Sequence, residues 1–248
     1  MSSITERLAV YYDSKGIAAT YFRCPHRHEC ATDSPRFTTA QESYVGPEYE
    51  KGNGPRLLFL SLDSGSAEAN PHVKTLEAVR QREVNCDVDA LPQNKHWYRT
   101  HELAWVLLRP FHPQLTIAGT SPYFAHVNSA KCCQNNPQRG KASGVLFKNC
   151  RSFIPGELRI LKPDIIVTQG DEAKDVIVKE CRPTNTQKKT VDAGMYETGV
   201  VQLLPDKQTL LAVSYRFFAA FRFLDVRVAF RFTRSANFFL PVLRFHSS

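Results

Sequence analysis

The chain has 248 residues with 42% hydrophobic content, enough for a full core in one large α/β domain or two small ones. Its net charge of +8 and pI near 9.2 suit a polyanionic partner such as nucleic acid. The polar start SSITERLAVYYDSKG is unlike a secretory leader, and no run of about 18 apolar residues offers a membrane span. Seven cysteines in such a chain point to thiol or metal chemistry in a reducing, cytoplasmic setting rather than to disulfides.

Ile4–Tyr21 has helical spacing with a break at Gly16. Cys24-Pro-His-Arg-His-Glu-Cys30 is a compact Cys/His loop, and Ser34–Pro55 reads as a connecting loop. Arg56–Leu62 (RLLFLSL) is a continuous apolar run, the pattern of a strand buried on both faces, with Asp63 at its end. Ala67–Arg82 reads as helix, Asn85–Lys95 as loop, and His96–Leu108 as a helix stopped before Pro110. Tyr123–Val127 is a short strand that delivers Asn128, then Lys131 and the pair Cys132/Cys133. A polar loop with Pro137 and Gly140 follows, and a helix-like run carries Cys150. Asp164–Thr168 is the next strand, and Gly170 opens a helix over Asp171–Lys179. Arg182–Gly194 reads as polar loop, and Tyr196–Leu204 and Thr209–Val213 as strands around Pro205-Asp206. Tyr215–Phe245 alternates Phe with Arg, which fits an added basic hairpin, a loosely ordered segment, or a reading frame different from that of relatives. The chain divides accordingly into a domain over residues 1–213 and a Phe/Arg-rich segment over 214–248.

Strands alternating with helices predict an α/β fold, a three-layer α/β/α sandwich around a mainly parallel sheet. Ligands of such sheets gather beyond the carboxyl ends of the strands, where Asp63, Asn128 and Gly170 all fall, so these three point to one shared site. Four thiolates drawn from Cys24, Cys30, Cys132, Cys133 and Cys150 suit a structural [4Fe–4S] cluster or a tetrahedral zinc ion; His26 and His28 keep zinc open. Cys86 and Cys181 have no such partners and read as small buried hydrophobes.

The block from Tyr123 to Ala173 resembles the iron–sulfur branch of the uracil-DNA glycosylase superfamily. The residues that carry the resemblance are Val127-Asn128-Ser129-Ala130-Lys131-Cys132, Asn136-Pro137-Gln138-Arg139, Cys150, and Lys162-Pro163-Asp164-Ile165-Ile166-Val167-Thr168-Gln169-Gly170-Asp171-Glu172-Ala173. The resemblance implies excision of a flipped-out uracil or other modified pyrimidine from DNA by hydrolysis of its N-glycosidic bond. Ser61 and Ser64 depart from the Gly and Pro usual in the family, and the reshaped rim suggests a bulkier base, including the modified bases of foreign, viral DNA. The resemblance implies a structural [4Fe–4S] cluster on Cys24, Cys30, Cys132 and Cys150, with Cys132 favoured over Cys133. Asp63 is expected to position or activate water, although its motif lacks the glutamate usual in that branch. Asn128 is expected to address the edge of the flipped base, since a side-chain amide offers both donor and acceptor. Ser61 shapes the pocket rim, and Trp97 or Tyr98 supplies a stacking face. Lys131, Arg139 and Gly170 are expected at DNA phosphates. The family's His-Pro-Ser loop has no clear counterpart after Val213; Arg216 and His246 are the candidates there. A monomer with DNA as partner and no membrane is expected. Two other readings stand beside this one: a catalytically silent nucleic-acid binder of the same fold, and a zinc-stabilised α/β hydrolase using Asp63 with His72 or His126.

Overall fold

The computed structural model describes residues 2–32, 37–65, 68–134, 142–191, 194–205 and 207–214. Three apolar runs form the parallel centre of a mixed sheet: β3 (Leu57–Ser61), β4 (Phe124–Asn128) and β6 (Ile165–Gln169). They are joined by β9 (Lys207–Ser214), and the antiparallel strands β2 (Tyr44–Val45), β7 (Thr184–Val191) and β8 (Gly194–Leu204) extend the edges. The order across the seven strands is β2-β4-β3-β6-β9-β8-β7, and the fold is of the α/β class. Chain direction is shared by β4, β3, β6 and β9, so their carboxyl ends lie along one edge.

Strand residues alternate between two cores, because successive side chains point to opposite faces. Leu58, Leu60, Ala125, Val127 and Ile166 enter one cluster with α1 (Ile4–Lys15), α6 (Gly144–Cys150), α7 (Ile154–Leu161) and α8 (Asp171–Cys181). Leu57, Phe59, Phe124, Ile165 and Val167 enter the other with α5 (His96–Leu108) and Val79 of α4 (Leu76–Val84). The chain therefore leaves β3 through α4 and α5, but leaves β4 and β6 toward the opposite face. Such a reversal is the place where open α/β sheets gather ligands, beyond the carboxyl edge.

Several expected elements are borne out, among them α5, β3, β4, β6, α8, β8 and β9. The long N-terminal helix ends at Gly16, which takes a left-handed conformation as its C-cap. Three expectations are corrected. The loop expected over Ser34–Pro55 holds β1 (Phe37–Ala40), β2 and α3 (Pro47–Lys51), elements too short to leave a periodic signal. The helix expected over Ala67–Arg82 is a 3₁₀ turn at Pro71–Lys74 followed by α4, whose N-cap Thr75 accepts from the Ala78 amide. The polar loop expected over Arg182–Gly194 contains β7, an edge strand whose exposed Thr184–Gln187 face reads as loop by composition. The Phe/Arg segment lies outside the described residues, and so do Arg139, Arg216 and His246. Among the described residues no helix is long and apolar enough to cross a membrane.

Candidate functional site

At the carboxyl edge Ser61 is the register partner of Asn128, and Gln169 follows Thr168, the partner of Leu60. Asn128, Ser61 and Gln169 thus form a row across three adjacent strands, on the face that carries α5. All three are buried, at 3%, 4% and 4% exposure. A run of polar side chains at this depth requires hydrogen-bond partners. Ser61 Oγ stands 2.5 Å from Gln169 Oε1 and 2.8 Å from His126 Nε2. Gln169 Nε2 donates to Thr100 Oγ1 of α5 at 3.0 Å, and that hydroxyl donates to the His96 carbonyl. Asn128 Oδ1 is buried and accepts no hydrogen bond among the described residues.

Trp97 closes this side. Its ring meets His101, Phe124 and His126 edge to face, at centroid distances of 5.3, 5.9 and 5.2 Å. Three histidines surround it in neutral form. Burial lowers His96 and His101 to about 4 each, and lowers His126 to about 3, with His96, Lys131 and Arg82 adding repulsion. Tyr98, the other stacking candidate, is half-buried on the same helix.

The cysteines gather on the opposite face. Cys30, Cys132 and Cys150 belong to the core of α1, α6 and α7, and Cys24 packs against it. Burial pushes the Cys132 thiol far above its usual range, and Cys150, Cys24 and Cys30 raise it further. Cys150 is raised to about 11, again first by burial, while the Lys131 amide donates to its Sγ at 3.3 Å. Asn149 Nδ2 donates to Cys30 Sγ at 3.4 Å. The short strand β5 (Cys132–Gln134) pairs antiparallel with β1 and fixes which thiol joins the group. Its alternation sends Cys133 the other way, where after burial its next influences are Asp63, Ser64 and Lys74. Four converging thiols with amide donors fit an iron–sulfur centre chemically. Among the described residues no group of three or more His, Cys, Asp or Glu stands close enough to hold a single metal ion.

One expected site residue, Lys131, is placed differently from its reading. Lys131 is 2% exposed, and its Nζ lies 2.7 and 2.5 Å from the two carboxylate oxygens of buried Glu157. Tyr12 and Ser43 hydroxyls also donate to that carboxylate, so the ammonium faces the core and not a phosphate. The expectation came from a basic residue in a loop; the burial of its partner, on a helix 26 residues later, is invisible in local sequence. Asp63 is half-buried, and its two oxygens accept the Gly65 and Ala142 amides, each at 2.8 Å. It fastens the loop after β3 to the segment entering α6. Gly170 sits at the start of α8 with φ +110 and ψ 161, and a Cβ there would stand 2.6 Å from Leu62 Cδ2. The residues that the sequence reading missed are Gln169, Thr100, His101 and Glu157. Only Gln169 left a signal, as a polar residue ending an apolar strand in line with Ser61 and Asn128.

No family model matches the chain, and no curated protein matches it at a significant level of sequence similarity.

Proposed function

We propose that the protein is a DNA glycosylase of the uracil-DNA glycosylase type, with an α/β/α sandwich, a base pocket on the α5 side and a [4Fe–4S] cluster on the other. The observation that carries the reading is Asn128. Its amide is buried at a parallel strand end, beside that reversal, with an acceptor that no described residue satisfies. An unsatisfied buried acceptor is costly to retain, by about 1–3 kcal/mol, and a bound heterocycle with an N–H would satisfy it.

In the reaction the C1′–N bond breaks with its electron pair leaving on the base, and water adds to C1′, yielding an abasic site. Asn128 addresses the base edge, holding it by Oδ1 and donating through the amide nitrogen as charge develops on the leaving base. Asp63, acceptor of two backbone amides, keeps the loop beside the sugar in place and offers its remaining lone pairs to water. Trp97 and the ring of His126 wall the pocket. Cys24, Cys30, Cys132 and Cys150 would hold the cluster, which when bound staples the N-terminal loop to α6 and takes no part in bond cleavage. The net charge of +8 supports DNA as partner.

One observation favours the silent binder as a second reading: both oxygens of Asp63 are engaged by backbone, as a loop-fastening residue would be. The hydrolase reading has less behind it, since His72 is exposed and Asp63 is bonded to amides rather than to a histidine. The deciding experiment incubates the cluster-loaded chain with DNAs carrying single modified bases and scores abasic sites. Product that disappears with Asn128→Ala supports the glycosylase. Retention of DNA without product on any base supports the binder, and neither binding nor product sinks both.

A further inference from the structure

The protons of the strand-end row can be assigned one after another. Thr100 Oγ1 lies 3.0 Å from the His96 carbonyl, which only accepts, so the hydroxyl proton goes there. Thr100 must then accept from Gln169, which turns the Gln169 nitrogen to α5 and its oxygen to Ser61. Ser61 has one proton and gives it to Gln169. His126 Nε2, 2.8 Å from the same Oγ, is therefore the donor of that pair, so His126 is the Nε2–H tautomer. Whatever meets Ser61 from the pocket finds a lone pair and no proton. Its register neighbour Asn128 also presents an acceptor, Oδ1, that has no partner among the described residues.

We infer that Ser61 and Asn128 form an acceptor wall, set by Gln169, that selects a heterocycle presenting N–H donors, as a cytosine-type base does with its exocyclic amine, over one presenting a carbonyl there, as uracil does. This rests on the reading of the strand-end site as a base pocket. Gln169 and Thr100 act as positioning residues: they touch no ligand and work by committing the Ser61 proton. A carbonyl at the wall meets lone pair against lone pair and strands two buried acceptors, and a polar site rejects such mismatches more strongly than an apolar site rejects a methyl group.

The test uses the full chain, free cytosine and free uracil, with binding followed by ligand-observed NMR and the His126 tautomer by ¹⁵N shifts of its ring. Cytosine is expected to bind at least ~10-fold more tightly than uracil. Gln169→Leu releases the Ser61 proton and brings the ratio to unity or inverts it. In the same variant the His126 ring gains Nδ1–H population, which a merely structural role for Gln169 would not produce. If Gln169→Leu does not fold, Thr100→Val unlocks the same amide from behind and is expected to act in the same direction. Equal binding of both bases, tighter uracil binding, or an Nδ1–H ring in the unaltered protein overturns the acceptor wall while leaving the base pocket standing. Failure of the folded protein to bind either base overturns the pocket and the wall together.

Discussion

The two faces of the sheet edge solve the problem of buried polarity in opposite ways. On the cysteine face the deepest charge is paired: Lys131 is joined to Glu157, and Glu157 also receives Tyr12 and Ser43. On the α5 face the strand-end row and the histidines beside it are neutral. Three histidines are held uncharged, one hydroxyl–amide chain is closed on itself, and the Asn128 acceptor is left without a partner among the described residues. A buried ion pair with its hydrogen bonds made rigidifies, whereas a neutral site with an open acceptor waits for a ligand. The difference teaches that Asn128 and the cysteines, four positions apart at their closest, serve separate tasks. The alternation of β4 sends the amide to one side, and the turn after it sends the thiols to the other.

Acid breaks the α5 face first and by the largest amount. His96, His101 and His126 have folded-state values of about 4, 4 and 3, below the ordinary 6.5. Between pH 6.5 and about 4 the unfolded chain binds more protons than the folded one, so stability falls as pH falls through that window. With three protons taken up on unfolding, the slope reaches roughly 4 kcal/mol per pH unit. Urea unfolding across pH 4 to 7 measures it, and a flat profile would contradict the buried neutral triad.

The cysteine face is broken next by removing one partner of its ion pair. Lys131→Met strands Glu157 in the core and is expected to cost about 3–5 kcal/mol. Adding Glu157→Leu recovers most of that loss. The salt dependence of DNA binding stays as it was in the folded double variant, because Lys131 faces Glu157 and not phosphate. A salt slope reduced by about one counterion would return Lys131 to the DNA.

How much of this was legible follows from where each signal lives. Continuous apolar runs announce β3, β4 and β6, and helical spacing with a following proline announces α5. The gathering of Cys24, Cys30, Cys132 and Cys150 was expected from the family resemblance, and β5 supplies the reason for Cys132: adjacent residues of a strand point apart. Strand ends point to Asp63, Asn128 and Gly170 as one expected site, and the family resemblance adds Ser61. What stayed hidden was long-range pairing. Nothing near Lys131 tells that Glu157 lies beside it, and nothing near Asp63 tells that the Ala142 amide will occupy its carboxylate. β7 was missed because Thr, Asn, Gln and Lys on an exposed edge carry no hydrophobic period. The short elements β1 and β2 were missed because two to four residues cannot show one.

Gly170 sharpens the comparison at its hinge, between Gln169 of the pocket and α8 of the opposite core. Its φ +110, ψ 161 backbone is essentially glycine-only, and the space a Cβ needs is held by Leu62. Gly170→Ala is expected to cost about 1–3 kcal/mol from backbone conformation, plus a steric cost that falls by whatever Leu62 yields in changing rotamer. Gly170→Ala with Leu62→Ala separates the two contributions, since only the steric part is relieved in the double variant.

The smallest effect tests Asp63, the residue on which the glycosylase and the silent binder divide. As a carboxylate it accepts both the Gly65 and the Ala142 amides. Asp63→Asn keeps the shape but replaces one acceptor with an N–H facing an N–H, so about 1–2 kcal/mol of stability is lost whichever reading holds. The readings part on rate. If Asp63 only fastens the loop, then excision by the folded variant falls no further than the fraction unfolded requires, and lower temperature restores it. If Asp63 also orders the water that adds to C1′, then excision falls by roughly 10²-fold or more at full folding, with base binding unchanged. Measuring abasic product under single turnover beside a melting curve on the same sample distinguishes the two, because folding enters the first number only through the second.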